Sequence, residues 1–600
     1  MKVIPRTLSV IMLWEVFAAQ PAGAAPEPRP PNVVILLADD AGWGDYGFTG
    51  NTQVRTPHID SLARDGVTLS NFYVCPVCSP TRAEMLTGRY SPRTGVRGVS
   101  LGQERINLDE TTLANVFQKA GYATGAFGKW HNGSQWPYHP MARGFDTFFG
   151  YTAGHWGEYF DPLLEDAGQL RRQPGYIVDV CTSRAIAFIE ENRKRPFLCY
   201  VPFTTPHSPW GVPQKNWASW KDRSLTQTAT QPNEEKPEET RCALAMIENQ
   251  DENVGRILAK LSELGLSENT VVLYFSDNGP NTARWNGGMK GRKGAVDEGG
   301  VRSPFVLRYP SRIARGGKVE QIAGAIDLLP TLAALAGISV ESPKPLDGAN
   351  LLPLLLQHDT PWPQRNLFSF WAGKVSVRNQ RFRLDAAGRL FDLASDPGQT
   401  APCNERYPSL AESLAAAVET WRKDTGLASW KPTKGNAVDP RPFPVGYREF
   451  PITILPARDA EPRGGLERSA PAPNSSYLTN WRSLQAEAVW NVAVQTAGVY
   501  DVSIDYTCRA GDEGAVLRLE FGGAALSAKV ATHWDPPLYD NQDTLPRPKA
   551  ESRLKPFATL PLGQVPLPAG VGELRLRATE IPGQAALDLR RVTLTLRPPE

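Results

Sequence analysis

The sequence predicts an α/β protein in which a large, mostly parallel sheet is covered by helices, followed by a smaller α+β subdomain and a β-sandwich. Two continuous apolar runs, residues 33–37 and 271–275, are typical of strands that are buried on both faces of a parallel sheet. Helical patterns lie between these runs, and strands that alternate with helices favour a sheet covered on both sides. Near the C-terminus the apolar period becomes two, which indicates an all-β module.

The chain divides by pattern into the sheet domain over 32–321, the subdomain over 322–430, a linker and the β-sandwich. Helices are predicted over 112–120, 180–192, 244–264, 327–336 and 410–421, with weak strands near 381–393. A linker or irregular domain edge is predicted over 431–475, where prolines are frequent. Alternating short strands indicate a β-sandwich over 476–600. This module could bind carbohydrate or only pack against its neighbour, and the fold alone does not decide between these roles.

The composition is that of a globular protein of about two to four domains. The 600 residues include 65 basic and 63 acidic residues, so that the net charge is +2. This balance gives no electrostatic case for binding nucleic acid, which requires a basic patch or stripe. Any selectivity for an anion must therefore come from a local cluster of charge.

Residues 1–24 have the pattern of a secretory signal peptide. Lys2 and Arg6 provide the positive start, residues 8–19 are mostly apolar, and small residues at 22–24 offer a cleavage site. An amphipathic first helix is the alternative interpretation. No later stretch reaches the roughly 18 apolar residues that a membrane-spanning helix needs. We therefore expect an exported protein, periplasmic or extracellular, with no membrane span after cleavage of the signal.

Seven cysteines are too few, and odd in number, for a disulfide scaffold in a chain of this length. Cys75 and Cys78 form a Cys-x-x-Cys pair, which by itself suggests a redox site or half of a zinc site. No second pair or suitably spaced histidine completes a set of zinc ligands. The other cysteines are buried thiols or include a disulfide: Cys181, Cys199, Cys242, Cys403 and Cys508.

Acidic and amide side chains follow both predicted core strands. Asp39 and Asp40 end the first strand, and Asp277 and Asn278 follow the second. Ligands of open α/β sheets bind beyond the carboxyl ends of the strands, where both pairs would lie. Either pair alone also occurs in ordinary turns. Together they form a set of oxygen ligands that suits Ca²⁺, with Mg²⁺ as the less favoured alternative, rather than zinc or copper.

Cys78 lies at the predicted start of a helix. Ser79 can cap this helix, Pro80 suits its first position, and Gly88 can end it. The N-terminus of a helix presents unpaired amides and the positive end of the dipole, which favours an anion beside Cys78. Arg82 follows one turn later and projects toward the same end.

The segment Cys78-Ser79-Pro80-Thr81-Arg82, followed by Leu86-Thr87-Gly88-Arg89, resembles the signature of the formylglycine-dependent sulfatases (arylsulfatases) of the alkaline phosphatase superfamily. The family pattern is Cys-x-Pro-Ser-Arg with Leu-Thr-Gly-Arg, and Thr81 is the one departure, which keeps the hydroxyl. The resemblance implies a large mixed, mostly parallel sheet between helices. It also implies that a formylglycine-generating enzyme converts Cys78 to formylglycine (3-oxoalanine).

In this family the hydrated aldehyde has two geminal hydroxyls. One attacks sulfur and displaces the alcohol, and the other then loses its proton and expels sulfate while the aldehyde forms again. Dividing one difficult displacement into two steps is covalent catalysis. The resemblance thus implies hydrolysis of the sulfate ester of a carbohydrate or of an aryl alcohol.

The strand-end acids also resemble family segments. Residues 37–45 match Leu-x-Asp-Asp-x-Gly-Trp-Gly-Asp, and residues 276–279 match Ser-Asp-Asn-Gly. The resemblance implies a cation that lowers the pKa of the nucleophilic hydroxyl. Its implied ligands are Asp39, Asp40, Asp277, Asn278 and residue 78.

Further matches concern lysines and histidines. Gly128-Lys129-Trp130-His131 implies that Lys129 grips sulfate and that His131 lies near the formylglycine hydroxyls. Pro206-His207-Ser208-Pro209 implies that His207 lies by the bridging oxygen. Lys293 begins a Lys-Gly-x-x-x-Glu-Gly-Gly-x-Arg match and is assigned the final sulfate contact, whereas Lys290 competes with a poorer spacing.

Sulfuryl transfer spreads negative charge over peripheral oxygens and the leaving oxygen, which fixed cations and a metal stabilise. The implied base for aldehyde release is His131, and the leaving-group acid is either His207 or Lys293. The full catalytic set implied by the resemblance is Cys78, Arg82, Lys129, His131, His207 and Lys293.

Two other functions stay open. One is a phosphonate or phosphodiester hydrolase of the same superfamily, since some of these mature the same cysteine. The other is a non-catalytic protein that binds sulfated glycans through the β-sandwich and keeps Cys78 as a thiol. Trp156, Trp210 and Trp285 flank the catalytic segments and either stack on a sugar ring or pack in the core or rim.

Overall fold

The computed structural model describes Met1 and residues 29–357, 360–429 and 437–599. Residues 2–24 of the predicted signal peptide, and residues 431–436 of the predicted linker, lie outside the described residues. In the described part of the chain, no helix is both long and apolar enough to cross a lipid bilayer.

The first half of the chain forms a ten-stranded mixed sheet. The strands up to residue 324 are β1 (Asn32–Asp39), β2 (Val67–Leu69), β3 (Phe72–Tyr73), β4 (Ala123–Lys129), β5 (Thr147–Tyr151), β6 (Leu163–Asp166), β7 (Gln169–Arg172), β8 (Phe197–Pro206), β9 (Thr270–Ser276), β10 (Arg302–Ser303), β11 (Phe305–Arg308), β12 (Gly317–Val319) and β13 (Ala323–Gly324). The sheet order is β12-β2-β11-β9-β1-β8-β4-β5-β6-β7. The central strands from β9 to β5 are parallel, whereas β11, β6 and β7 pair antiparallel with their neighbours.

Helices cover both faces of this sheet. The α-helices of the described residues are α1 (Pro57–Arg64), α2 (Cys78–Thr87), α3 (Leu113–Lys119), α4 (Ile177–Glu191), α5 (Gln214–Trp217), α6 (Pro237–Glu263), α7 (Glu298–Val301), α8 (Leu328–Leu335), α9 (Leu352–Leu356) and α10 (Pro408–Asp424), of which α10 packs on a second sheet. Alternate residues of β1 enter two separate cores: Val34 and Leu36 pack with residues of α4 and α6, and Val33 and Ile35 with residues of α2 and α8. The predicted α/β sheet between helical layers is therefore confirmed.

The carboxyl ends of the central strands meet at one edge of the sheet. β1 pairs with β9 and β8, with Ala38 opposite Ser276 and Asp39 opposite Pro206. β4 pairs in parallel with β8 and ends at Lys129. Because these strands run in the same direction, the side chains that follow them are gathered at this edge.

The longest helix begins earlier than its hydrophobic period predicts. The predicted start was residue 244, but α6 begins at Pro237. Proline suits the first turn of a helix, and Glu238 and Glu239 there complement the helix dipole. The first turn of α6, residues 237–240, carries these start signals but no large apolar side chain, so the hydrophobic period does not reveal it.

A four-stranded antiparallel sheet follows, formed by β14 (Leu367–Trp371), β15 (Lys374–Arg378), β16 (Phe382–Leu384) and β17 (Leu390–Asp392). α10 packs on it through Leu414, which shares a core with Val377 and Leu390. The weak strands predicted near 381–393 correspond to β16 and β17. The β14–β15 hairpin was not predicted, and its turn places Ala372 and Gly373 at positive φ.

Two six-stranded sheets share one hydrophobic core in the C-terminal part of the chain. Their strands are β18 (Phe443–Val445), β19 (Ile452–Pro456), β20 (Glu461–Arg463), β21 (Glu467–Arg468), β22 (Leu478–Thr479), β23 (Glu487–Val494), β24 (Gly498–Thr507), β25 (Val516–Phe521), β26 (Ala524–Lys529), β27 (Ala558–Leu567), β28 (Gly570–Glu580) and β29 (Asp588–Leu596). The sheet orders are β18-β23-β28-β25-β26 and β21-β22-β29-β24-β27, to which β20 and β19 add on β23 and β29.

The proline-rich segment before residue 476 contributes strands to both sheets. β18 and β20 pair with β23, and β19 pairs with β29. Proline is compatible with strands at a sheet edge, where Pro444 of β18 lies. We therefore propose that the β module begins near residue 443 instead of residue 476.

Candidate active site

Three candidate metal-ligating groups converge where the central strands end. The ligand atoms of Asp39, Cys78 and Asp277 lie within 4.8 Å of one another, and all three residues are buried. The backbone N–H of Asp277 donates to the carbonyl of Ala38 at 3.1 Å, which extends the β1–β9 pairing to the site. The strand register thus fixes the two carboxylates beside the thiol.

Asp40 and Asn278 occupy the turns that follow these strands. Asp40 has a φ of 70°, a left-handed conformation that aspartate and asparagine tolerate better than most residues. Its N–H donates to Asp277 Oδ1 at 3.2 Å, and Asn278 Nδ2 donates to Asp40 Oδ1 at 2.8 Å. These bonds join both strand-end pairs into one cluster.

The helix that carries the thiol begins at Cys78 itself. Ser79 was predicted to cap it, and this is wrong: the residue before the helix is Val77, and no side chain caps its start. Thr81 holds this turn instead, because its hydroxyl accepts from the N–H of Cys75 at 2.9 Å and donates to the carbonyl of Asp277 at 2.6 Å. The hydroxyl that serine and threonine share therefore ties the helix start to β9. Gly88 ends α2 as predicted, at a φ of 66°.

Arg82 and Lys129 neutralise the inner carboxylates. Arg82 Nη2 donates to Asp277 Oδ2 at 2.7 Å, and its Nη1 donates to the carbonyl of Lys129 at 2.8 Å. Lys129 Nζ donates to Asp39 Oδ2 at 2.7 Å. All four of these side chains are almost inaccessible to solvent. Buried charges are tolerated only when paired in this way, so the cluster is mutually dependent.

Lys293, and not its competitor Lys290, reaches the cluster. Lys293 Nζ lies 2.7 Å from Asp40 Oδ1. Lys290 Nζ lies instead 3.2 Å from Asp297 Oδ1. Burial alone would lower the pKa of Lys293, but Asp40 raises it above its usual value, so the ammonium stays charged.

The pKa values of Asp277 and of the Cys78 thiol are raised, whereas that of Asp40 is lowered. Burial raises the pKa of Asp277 to about 7, and the neighbouring Asp39 carboxylate adds to the rise. Burial acts the same way on Asp40, but Lys293 and His207 outweigh it and hold the pKa of Asp40 below its usual range. Burial also raises the pKa of the Cys78 thiol, which is therefore protonated at neutral pH and a poor nucleophile.

The residues fit a divalent cation. Asp39 Oδ1 and Asn278 Oδ1 are buried and have no hydrogen-bond partner among the described residues. Buried polar atoms are normally satisfied, so two oxygens without a donor in a cluster of carboxylates indicate ligands for a cation. Oxygen ligands are compatible with Ca²⁺ and with Mg²⁺.

His131 lies beside the lysine that ends β4. Its Nε2 contacts the carbonyl of Val99 at 2.7 Å, so this nitrogen carries the proton. Its Nδ1 is buried without a hydrogen-bond partner in the described part of the chain. Burial, with Lys129 as the next cause, holds the pKa of His131 well below its usual value. The ring is therefore neutral at pH 7, with a free acceptor nitrogen.

His207 follows β8 and faces the outer carboxylate. Its Nε2 lies 3.6 Å from Asp40 Oδ2, and its Nδ1 contacts the carbonyl of Ser208 at 2.6 Å. Burial, followed by the cation of Lys293, lowers the pKa of His207 to about 4. A second histidine, His155, places its Nδ1 3.4 Å from that of His207.

Two residues at this site were missed by sequence reasoning. His155 lies in no segment that resembles the family, and its only signal is its position four residues beyond β5. Glu551 belongs to the β module, and its carboxylate lies 3.6 Å from His155 Nε2. Two of the three flanking tryptophans pack against other parts of the protein: Trp210 is buried, and Trp156 stacks on Tyr151.

All seven cysteines lie within the described ranges and are free thiols. The alternative of a disulfide among the five remote cysteines therefore does not hold in this structure. Cys181, Cys199 and Cys242 are core residues whose burial raises the pKa of each thiol above its usual value. They behave as small apolar side chains.

Comparisons with known proteins agree with this architecture. A family model described as Sulfatase matches residues 31–338, and a model described as N-sulphoglucosamine sulphohydrolase, C-terminal, matches residues 292–420. N-acetylgalactosamine-6-sulfatase of Mus musculus is 34% identical over 370 residues, which are 56% of this chain and 68% of that protein. Arylsulfatase A of Bos taurus is 34% identical over 478 residues, which are 68% of this chain and 90% of that protein.

The crystal structure of Ps i-CgsB has a TM-score of 0.61 and 27% identity, and the match covers 68% of this chain and 96% of that one. The same protein has been solved in complex with k-i-k-neocarrahexaose. The Sulfatase match alone spans half of the chain. The chain therefore belongs to the sulfatase family, whose fold is that of the alkaline phosphatase superfamily and whose reaction is the hydrolysis of sulfuric esters.

Proposed function

We propose that this sulfatase removes sulfate from a sulfated carbohydrate, with residue 78 as formylglycine and Ca²⁺ as the cation. The observation that carries the proposal is the convergence of Lys129 and Lys293 on carboxylates that surround Cys78. A sulfate group placed there would meet two ammonium groups and a helix N-terminus. The carbohydrate is supported by the relative named N-acetylgalactosamine-6-sulfatase and by the oligosaccharide complex of Ps i-CgsB.

Residue 78 would supply the hydrated aldehyde as nucleophile once it has been oxidised to formylglycine. Asp39, Asp40, Asp277 and Asn278 would hold the cation. When bound, that cation supplies Lewis acidity and lowers the pKa of the attacking hydroxyl.

The side chains around residue 78 have separate proposed roles. Lys129 and Lys293 neutralise the sulfate oxygens, and Arg82 holds Asp277 and the Lys129 backbone in place. His131 accepts a proton at Nδ1, which is free of other partners in the described structure. The departing alcohol receives its proton either from the imidazolium form of His207, at Nε2, or from the ammonium of Lys293, and both residues flank Asp40 on the outer side of the cluster.

The function is tested by parallel assays on an aryl sulfate, an aryl phosphodiester and an aryl phosphonate, after co-expression with a formylglycine-generating enzyme. We expect the highest kcat/KM for the sulfate. Preference for the phosphodiester or phosphonate would support the related hydrolase instead. Turnover of none of them, with binding of sulfated glycans, would support the non-catalytic alternative.

The two lysines of the 290–293 loop provide a matched pair of variants. Lys293→Gln should lower kcat about 10²- to 10³-fold, because it removes a fixed cation from the site of charge development. Lys290→Gln should leave kcat within about 2-fold, since Lys290 pairs with Asp297. Steady-state kinetics on one aryl sulfate check both. Equal losses in the two variants would contradict the assignment of Lys293.

We also propose that the protein is exported and that a formylglycine-generating enzyme modifies it. The signal-like N-terminus supports export to the periplasm or the extracellular space. The Cys78–Arg82 segment supports recognition by a formylglycine-generating enzyme before the chain folds, because Cys78 is only 3% exposed in the folded chain.

A further inference from the structure

The β module covers the two loops that carry His155 and His207. Its segment 542–554, between β26 and β27, contacts both loops directly. Gln542 Oε1 accepts from the N–H of Tyr159 at 2.7 Å, and the N–H of Thr544 donates to the carbonyl of Trp210 at 2.6 Å.

Charged groups reinforce this contact. Arg547 Nη2 donates to the carbonyl of Gly157 at 3.0 Å. Arg590 Nη2 of β29 donates to Oε1 of the buried Glu158 at 2.8 Å. Glu158 precedes β6, in the same loop as His155. The module is therefore held against the catalytic face by buried, directional contacts and does not merely adjoin it.

Within this contact, Glu551 bridges the two loops. One carboxylate oxygen, Oε1, accepts a short hydrogen bond from the Ser208 hydroxyl. The other, Oε2, lies 3.6 Å from His155 Nε2. Both Oε2 and Nε2 are buried, and neither has a hydrogen-bond partner among the described residues. Two unsatisfied and complementary atoms at this distance mark a contact that small side-chain movements would close.

A series of contacts runs from Glu551 through His155 and His207 to Asp40. If His155 Nε2–H points to Glu551, its Nδ1 is an acceptor and lies 3.4 Å from His207 Nδ1. His207 Nδ1–H is then held by His155 Nδ1 and by the carbonyl of Ser208 at 2.6 Å. This arrangement leaves His207 Nε2 directed at Asp40 and the site, and His207 would give a proton to the leaving oxygen from Nε2 in its imidazolium form, in which both ring nitrogens carry a proton.

We propose that Glu551 is a positioning residue of the active site, supplied by the appended β module, and that it orients His207 through His155 and Ser208. The proposal rests on the proposed function, in which His207 lies on the leaving-group side. Carboxylates that orient metal-ligating histidines contribute about 10- to 100-fold to metal affinity or activity, and we expect an effect of the same order here. The module thus becomes part of the catalytic apparatus instead of a remote binding domain.

The test compares Glu551→Ala and Glu551→Gln with the wild type in the full-length, matured enzyme. The substrates are aryl sulfates of rising phenol pKa, with a hexose 6-sulfate as the poorest leaving group. Glu551→Ala should lose about 10- to 100-fold in kcat for the poorest leaving group and under about 3-fold for 4-nitrophenyl sulfate, because a good leaving group needs little help from an acid. Glu551→Gln keeps the shape and an acceptor oxygen, and it should show the same trend with a smaller loss.

Glu513→Ala is the matched control, because Glu513 pairs with the exposed His533 at 2.7 Å on the same module. Glu513→Ala should leave the dependence of kcat on the pKa of the leaving group unchanged. If Glu551→Ala does not fold, as judged by its thermal transition, the kcat values of Glu551→Gln alone decide whether Glu551 positions His207. Equal loss on all substrates, or no loss, would overturn the inference while wild-type turnover upholds the proposed function. A wild type that hydrolyses no sulfate ester would overturn both.

Discussion

Replacing Cys78 with alanine should reduce sulfatase turnover by at least about 10⁴-fold, because no other group at the site can form the aldehyde. The fold should persist: alanine removes a single buried sulfur atom, and such a change costs about 1 kcal/mol of stability. Activity on an aryl sulfate and the thermal transition are measured together. A large loss of activity with a transition near that of the wild type is the expected pair of results.

Cys75→Ala is the control for this variant. Cys75 is buried three residues before Cys78, and its sulfur lies 3.9 Å from the Ser91 hydroxyl. Its replacement should preserve turnover within about 3-fold, in line with a small packing change. Substantial activity in Cys78→Ala would contradict the covalent mechanism.

Replacing Asp277 with alanine should remove metal and activity together. Asp277 lies between residue 78, Arg82 and Asp40, so its loss deletes a proposed ligand and the carboxylate to which the buried Arg82 donates at 2.7 Å. The Lewis acidity of the cation contributes several kcal/mol, which corresponds to a loss of about 10³-fold or more. Elemental analysis of the purified protein measures calcium and magnesium beside the activity.

A second variant and a control separate metal loss from unfolding. Asp277→Asn keeps the shape of the side chain and should also weaken metal binding, because it removes the negative charge. Asp327 is a buried aspartate that pairs with Arg365 at 2.9 Å, and Asp327→Asn should alter stability without altering metal content. Unchanged metal content in both Asp277 variants would show that the ligand set is wrong.

The sheet and the main cluster could be predicted because their signals are local. The runs at 33–37 and 271–275 are apolar throughout, as buried parallel strands require, and each ends in polar residues. Parallel pairing through β8 and β9 then brings Asp39 and Asp277 together. The assignment of Lys293 followed from the resemblance of residues 293–302 to a family segment, and the structure places Lys293 on Asp40.

What could not be predicted depends on contacts between distant segments. Glu551 meets Ser208 across 343 residues, and nothing in its neighbourhood distinguishes it from a surface glutamate. His155 reaches His207 because β5 and β8, which precede these two histidines, are both parallel to β4 and end at the same edge of the sheet. The frequent prolines of residues 431–475 suggested a linker because proline opposes strands in general, although a sheet edge accommodates Pro444. Ser79 does not cap α2 because the helix begins one residue before it, at Cys78.

Mass spectrometry of the proteolytic peptide that contains residue 78 tests the central proposal most directly. The protein is produced with a formylglycine-generating enzyme, and the same peptide from Cys78→Ala serves as the reference. We predict the mass of an aldehyde, in which CHO replaces CH₂SH, and its reaction with a hydrazine probe. A peptide that retains an unmodified thiol, in protein that nevertheless hydrolyses sulfate esters, would contradict the account.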